Sequence, residues 1–151
     1  FNLNGYAHSR PIIGGEIVPD NKAEGILNIF RTDAEGEIDG TCTASKIGDR
    51  FILTAAHCVH GKDVKTLGWS NSSKIDLNDE NDTIYGVYTK NVFIHPSYEL
   101  NKMLGQTYKS SDIAIIEVDM TKGNYVDKFK NLPSMELDFN PVFAGEKLQS
   151  Y

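Results

Sequence analysis

Cysteine is scarce in this chain, with two in 151 residues, and tryptophan occurs once. So few cysteines exclude a small disulfide-stapled scaffold, and the chain must rely on a packed core of one typical domain. Long apolar runs are missing too: no stretch of about 18 apolar residues exists, so no helix is written to span a bilayer. Positive charge is not in excess. The 15 Lys+Arg against 21 Asp+Glu leave a net charge of −6, spread rather than blocked. A sequence-independent nucleic-acid binder needs the opposite sign to neutralise phosphates, and that class drops out. What is present is an ordinary globular balance, 40% hydrophobic, 10% aromatic and 24% charged, too rich in apolar residues for a disordered chain. The first residue is Phe1 rather than Met, and no signal-like apolar centre follows it. The expectation is that a segment upstream has been removed.

Cys42 and Cys58 allow one intramolecular pairing. If bridged, they close a loop worth about 3 kcal/mol in the chain-entropy model. Two thiols alone leave the redox compartment open, since a pair of buried cysteines is common.

The segment reads as β-rich, with no long helix. Strand candidates are Gly25–Phe30, Glu37–Ser45, Phe51–Thr54, Val64–Trp69, Ile84–Ile94 and Ile113–Val118. Each is short, apolar or β-branched, and bounded by turn residues such as Gly48-Asp49-Arg50. Strands at this spacing point to a sandwich or small barrel. Ala55–His60 has room for a single helical turn. Residues 1–11 form a polar leader, and 12–118 the β-rich body. Residues 119–143, broken by Gly123, Pro133 and Pro141, read as a linker or wrapping segment. Residues 144–151 begin something strand-like and stop, as if the polypeptide were cut within a longer architecture.

Two stretches carry chemistry. In Phe51-Ile52-Leu53-Thr54-Ala55-Ala56-His57-Cys58, a buried strand enters a turn of small residues and presents a histidine beside a cysteine. That places an imidazole on a rigid element, as a general base acting on a hydroxyl requires. In Ser111-Asp112-Ile113-Ala114-Ile115-Ile116, one carboxylate stands at the mouth of a strand that must be buried. An acid there is costly unless hydrogen-bonded, and a histidine N–H is a suitable partner.

Thr54-Ala55-Ala56-His57-Cys58 with Cys42 upstream and Asp112-Ile113-Ala114 downstream resembles the trypsin/chymotrypsin family of serine endopeptidases. Ile12-Ile13-Gly14-Gly15 is similar to that family's mature amino terminus, and Ile94-His95-Pro96-Ser97-Tyr98 to a recurrent structural stretch between the two motifs. The resemblance runs from Ile12 to the last residue, with the motifs in the family's order. It implies an all-β fold, the chymotrypsin-like double β-barrel. Residues 12–118 would form the first antiparallel barrel, 119–143 the inter-barrel linker, and 144–151 the opening strand of the second barrel.

The resemblance also implies roles. His57 would be the general base and then the general acid, with Asp112 accepting its other N–H. Cys42 and Cys58 would form a disulfide, which with the family implies a secreted, extracellular protein. Ile12, once its amino group is freed, would insert into a pocket and order the substrate site. The partners implied are protein or peptide substrates, an activating protease and the distal half of the same protease, with no nucleic acid and no membrane.

Departures are as informative. The nucleophilic serine in its Gly-Asp-Ser-Gly turn belongs to the second barrel, and no serine here sits in that setting. By itself this segment should not hydrolyse peptides. Arg10-Pro11-Ile12 puts proline before the new amino terminus, which trypsin-like activators disfavour. With residues 1–11 attached, the expectation is a zymogen with Ile12 outside any pocket. A non-catalytic relative serving as a binding or regulatory module is the alternative, although such a module has no need for both His57 and Asp112.

Simpler readings stand beside these. His57-Cys58-Val59-His60 falls short of a closed zinc set. His95 reads as structural, and His8 and His60 as solvent-facing. The acidic run from Asp76 to Asp82 offers oxygen ligands at alternate positions that suit calcium, but a solvated hairpin tip explains it as well. No metal or other cofactor is therefore expected. Asn71-Ser72-Ser73 and Asn81-Asp82-Thr83 fit the N-glycosylation pattern.

Overall fold

In the computed structural model, the described residues are 23–32, 37–62, 64–70, 83–105 and 111–141. Six strands form within them: β1 (Ile26–Thr32), β2 (Ile38–Lys46), β3 (Phe51–Thr54), β4 (Thr66–Ser70), β5 (Tyr85–Ile94) and β6 (Ala114–Val118). They close into one antiparallel barrel in the order β1-β2-β3-β6-β5-β4, with β4 returning to pair β1. Closure removes the open edges that would otherwise invite pairing with other chains. All six strand candidates read from the sequence are present, shifted by a residue or two at most ends.

Alternation along the strands fills the barrel. Leu27 and Ile29 of β1, Ala44 of β2, Ile52 of β3, Leu67 and Trp69 of β4, Val87 of β5 and Ile116 of β6 point inward and are buried. Trp69 is the largest of them. Its indole lies 4.9 Å from the Tyr85 ring and 5.9 Å from Phe129, the latter edge-on, the offset and T-shaped geometries aromatic rings prefer.

Two short helices among the described residues accompany the strands, neither of them long. α1 (Pro96–Met103) follows β5, with proline at its first turn where the missing N–H costs nothing. α2 (Val126–Lys130) lies in the stretch read as a linker. It is one short turn that exists because Phe129, fully buried, closes the barrel against Trp69. After α2 the chain is clamped to the barrel by Lys46. This lysine is itself buried, and its Nζ donates to the Leu132 carbonyl at 2.9 Å and to Ser134 Oγ at 2.8 Å. The outward face of β3, β6 and β5 remains apolar, with Phe51, Phe93 and Ile115 meeting Leu137 and Phe139 around a hollow of about 770 Å³. Ile12, Pro11, the Asp76–Asp82 run, the asparagines of both glycosylation sequons and residues 144–151 lie outside the described residues.

Candidate active site

The strand register brings the two chemical motifs together. β3 and β6 pair antiparallel with Thr54 opposite Ala114. Two steps onward along one strand and two back along the other bring Ala56 level with Asp112. His57 is therefore beside the carboxylate although 55 residues separate them in sequence.

Small residues make the turn. Ala55 is extended, and Ala56–Cys58 forms a single 3-10 turn whose Ala56 is fully buried. Cys58 N–H donates to the Ala55 carbonyl at 3.1 Å, and His60 N–H to Ala56 at 2.8 Å. Thr54, just before, uses its hydroxyl to bond the Thr43 carbonyl of β2 at 3.1 Å. The Cys42–Cys58 disulfide is formed, joining the turn to β2 across a Cα–Cα distance of 6.3 Å.

Asp112 grips His57 twice. One carboxylate oxygen pairs with His57 Nδ1 at 2.6 Å, and the other accepts the His57 backbone N–H at 2.8 Å. Desolvation alone would raise the Asp112 pKa. The hydrogen bonds from the His57 ring and backbone, its charge, and the Ala56 N–H outweigh it, and the carboxyl is held below the usual range. A carboxylate that accepts from Nδ1–H fixes the tautomer and leaves Nε2 with a free lone pair. The His57 side chain is 62% exposed; Nε2 lies 3.5 Å from Cys58 Sγ, a disulfide sulfur with no proton to donate, so the lone pair is not taken up by it.

The loop that carries Asp112 is tethered by α1. Ser97 Oγ accepts the Ser111 N–H at 3.3 Å and bonds His95 Nδ1 at 2.8 Å. The His95 backbone N–H in turn donates to the Ile113 carbonyl at 3.0 Å. His60, read as solvent-facing, is instead half-buried, with its ring edge-on to Tyr98 at 5.3 Å. Ser97 belongs to the Ile94–Tyr98 stretch singled out in the sequence, although its contact with the Asp112 loop was not read there. Cys42, His57 and Cys58 place three potential metal-ligand atoms within 4.8 Å of one another. Both sulfurs are spent in the disulfide, so neither can serve as a thiolate ligand there.

A histidine and a carboxylate so arranged, beside a disulfide and on a six-stranded barrel, invite comparison with known proteases. The trypsin family profile matches residues 12–140. A chymotrypsin from Phaedon cochleariae is 33% identical over 108 residues, covering 70% of this chain and 34% of that protein. The CLIP domain-containing serine protease B10 of Anopheles gambiae is 27% identical over 150 residues, covering 89% of this chain and 40% of that protein. The solved structure of HL collagenase aligns with a TM-score of 0.48 at 23% identity, over 72% of this chain and 41% of that one. The chain thus spans well under half the length of the curated relatives it matches. With the profile covering most of its residues, this chain belongs to the trypsin family.

Proposed function

We propose that the protein is a secreted serine endopeptidase made as a zymogen, and that this chain supplies the base and the acid of a Ser-His-Asp triad. The single observation that supports this most is the 2.6 Å bond between His57 Nδ1 and Asp112, on an imidazole whose side chain is exposed.

His57 Nε2 removes the proton from a serine hydroxyl carried by the distal half of the same protease as that oxygen attacks the peptide carbonyl. The proton then passes to the departing amine, leaving an acyl-serine that water cleaves by the same relay in reverse. Asp112 stays ionised throughout. It holds the ring in the productive tautomer and stabilises the imidazolium formed at each transfer. The distal half also supplies the donors for the tetrahedral oxyanion. An activating protease frees the Ile12 amino group, with the Pro11–Ile12 bond as its target. Protein substrates follow from the family, in which the matched relatives are serine proteases.

The test uses the full-length protein after limited proteolysis, incubated with a fluorophosphonate that labels activated serines. Stoichiometric labelling and peptide hydrolysis are expected. His57→Ala should lower kcat by at least about 10²–10⁴-fold, the usual worth of a positioned base. An activated wild-type protein that takes no label would overturn the proposal and leave a binding module.

A further inference from the structure

Arg31, near the end of β1, is not part of the histidine–aspartate pair, yet it reaches the same turn. Its side chain is largely buried, at 14% exposure. Nη1 donates to the carbonyl of Cys58, the residue after His57. Nε donates to Asp39 Oδ1 at 3.2 Å, and Lys62 Nζ holds the other Asp39 oxygen at 3.3 Å. The route is cleared by a glycine: β1 and β2 pair Arg31 opposite Gly40. A Cβ at Gly40 would stand 2.0 Å from Arg31 Nη2 and 2.9 Å from Cζ. No side chain other than hydrogen fits there with the arginine in place.

The Cys58 carbonyl needs such a donor. The backbone bonds of the 3-10 turn end on the Ala55 and Ala56 carbonyls, so Cys58 presents an acceptor the turn itself does not use. The disulfide fixes the Cys58 side chain, but a Cα–Cβ bond still lets the peptide plane rock. A planar fork held at its other edge by a carboxylate stops that motion, which a single ammonium does less well.

We propose that Arg31 is a positioning residue for His57, acting through the Cys58 carbonyl and made possible by Gly40. This rests on the catalytic reading of His57 given above. Asp39 and Lys62 orient the guanidinium, and the guanidinium holds the turn so that Nδ1 meets Asp112 and Nε2 meets the nucleophile.

The experiment compares wild-type, Arg31→Met, Gly40→Ala and Arg31→Lys in the full-length protein. Two quantities are read: kcat against KM, and the ¹⁵N resonances of the His57 ring at neutral pH. Loss of the fork should lower kcat about tenfold, a partial displacement of a catalytic group, with KM changed by less than about twofold. In the same variants the Nδ1 and Nε2 resonances should move toward each other as the tautomer loses its preference. Arg31→Lys preserves charge and bulk, so it should fold even where Arg31→Met does not, and still show both changes. Unchanged kcat and unchanged ring resonances in these variants, even with a lowered Tm, would reduce Arg31 to a structural role and overturn the proposal. Should the wild-type protein prove unreactive to fluorophosphonate, the catalytic reading falls, while the ring resonances still decide whether Arg31 positions His57.

Discussion

Cys58 is held from two directions, by a covalent bond to Cys42 on its side chain and by the Arg31 guanidinium on its carbonyl. The disulfide closes a span of 16 residues that includes all of β3. Its removal frees the unfolded chain more than it alters any native contact. Replacing both cysteines by alanine should cost about 3 kcal/mol, read as a lower urea midpoint with a steeper slope, because the freed unfolded chain exposes more surface. At this scale the sequence is partly transparent. His57 and Cys58 declare themselves because a strand, two alanines and a cysteine are contiguous, and Asp112 because an acid heads an apolar strand. Arg31 is silent, and Ser97 shows only as part of the Ile94–Tyr98 stretch, without its role. Their partners, Cys58 and Ser111, come from other elements, and only the strand register or the packing of α1 brings them into reach.

Among the elements, the six strands were legible because a β-branched or apolar period of two, cut by glycine and asparagine turns, survives in any context. The order in which they neighbour one another was not, since β3 pairs β6 although β4 and β5 lie between them in the chain. α2 was hidden for a related reason. Its five residues carry little helix signal, and what holds them is burial of Phe129 and the lysine beneath it. Lys46 is the least expected member of β2, a buried ammonium whose pKa is pushed down by desolvation and only partly restored by Asp49. Its Nζ lies 5.6 Å from the centre of the Phe129 ring, and its bonds to Leu132 and Ser134 fasten the chain beyond α2. The Lys46 carbonyl also accepts the Met135 N–H at 2.8 Å. Lys46→Ala removes the stem packed in the core together with these side-chain bonds, and should cost about 2–4 kcal/mol in urea unfolding. Lys46→Met keeps the stem and sheds the desolvated charge, so it should cost less than half as much. Equal losses in the two variants would show that the bonds, not the stem, matter.

For the molecule as a whole, four hydrogen-bonded carboxyls bias the fold against acid. Asp39 is held low chiefly by its hydrogen bond from Arg31, and Glu117 by that from Asn91 at 2.7 Å, with Lys90 and Arg50 alongside. Asp119 is held low by Thr121, and Asp112 by His57 against its own desolvation. All four are displaced in the same direction, below their ordinary values of 3.8 for the aspartates and 4.5 for the glutamate. A carboxyl with a lowered folded pKa binds fewer protons folded than unfolded. Its stabilisation is therefore fully present above the unfolded value and fades as pH falls through the folded one. With respect to these groups Tm should be flat above about pH 5.5 and drop steadily below about pH 4. Glu117→Gln keeps the shape and the Asn91 contact but cannot ionise, so its Tm should be lower than wild type at pH 6, with the gap closing as pH falls below 4.5 through the lowered folded value. Parallel Tm curves for the two proteins across that range would mean that the ionised Glu117, wedged between β5 and β6, contributes nothing to the closure of the barrel.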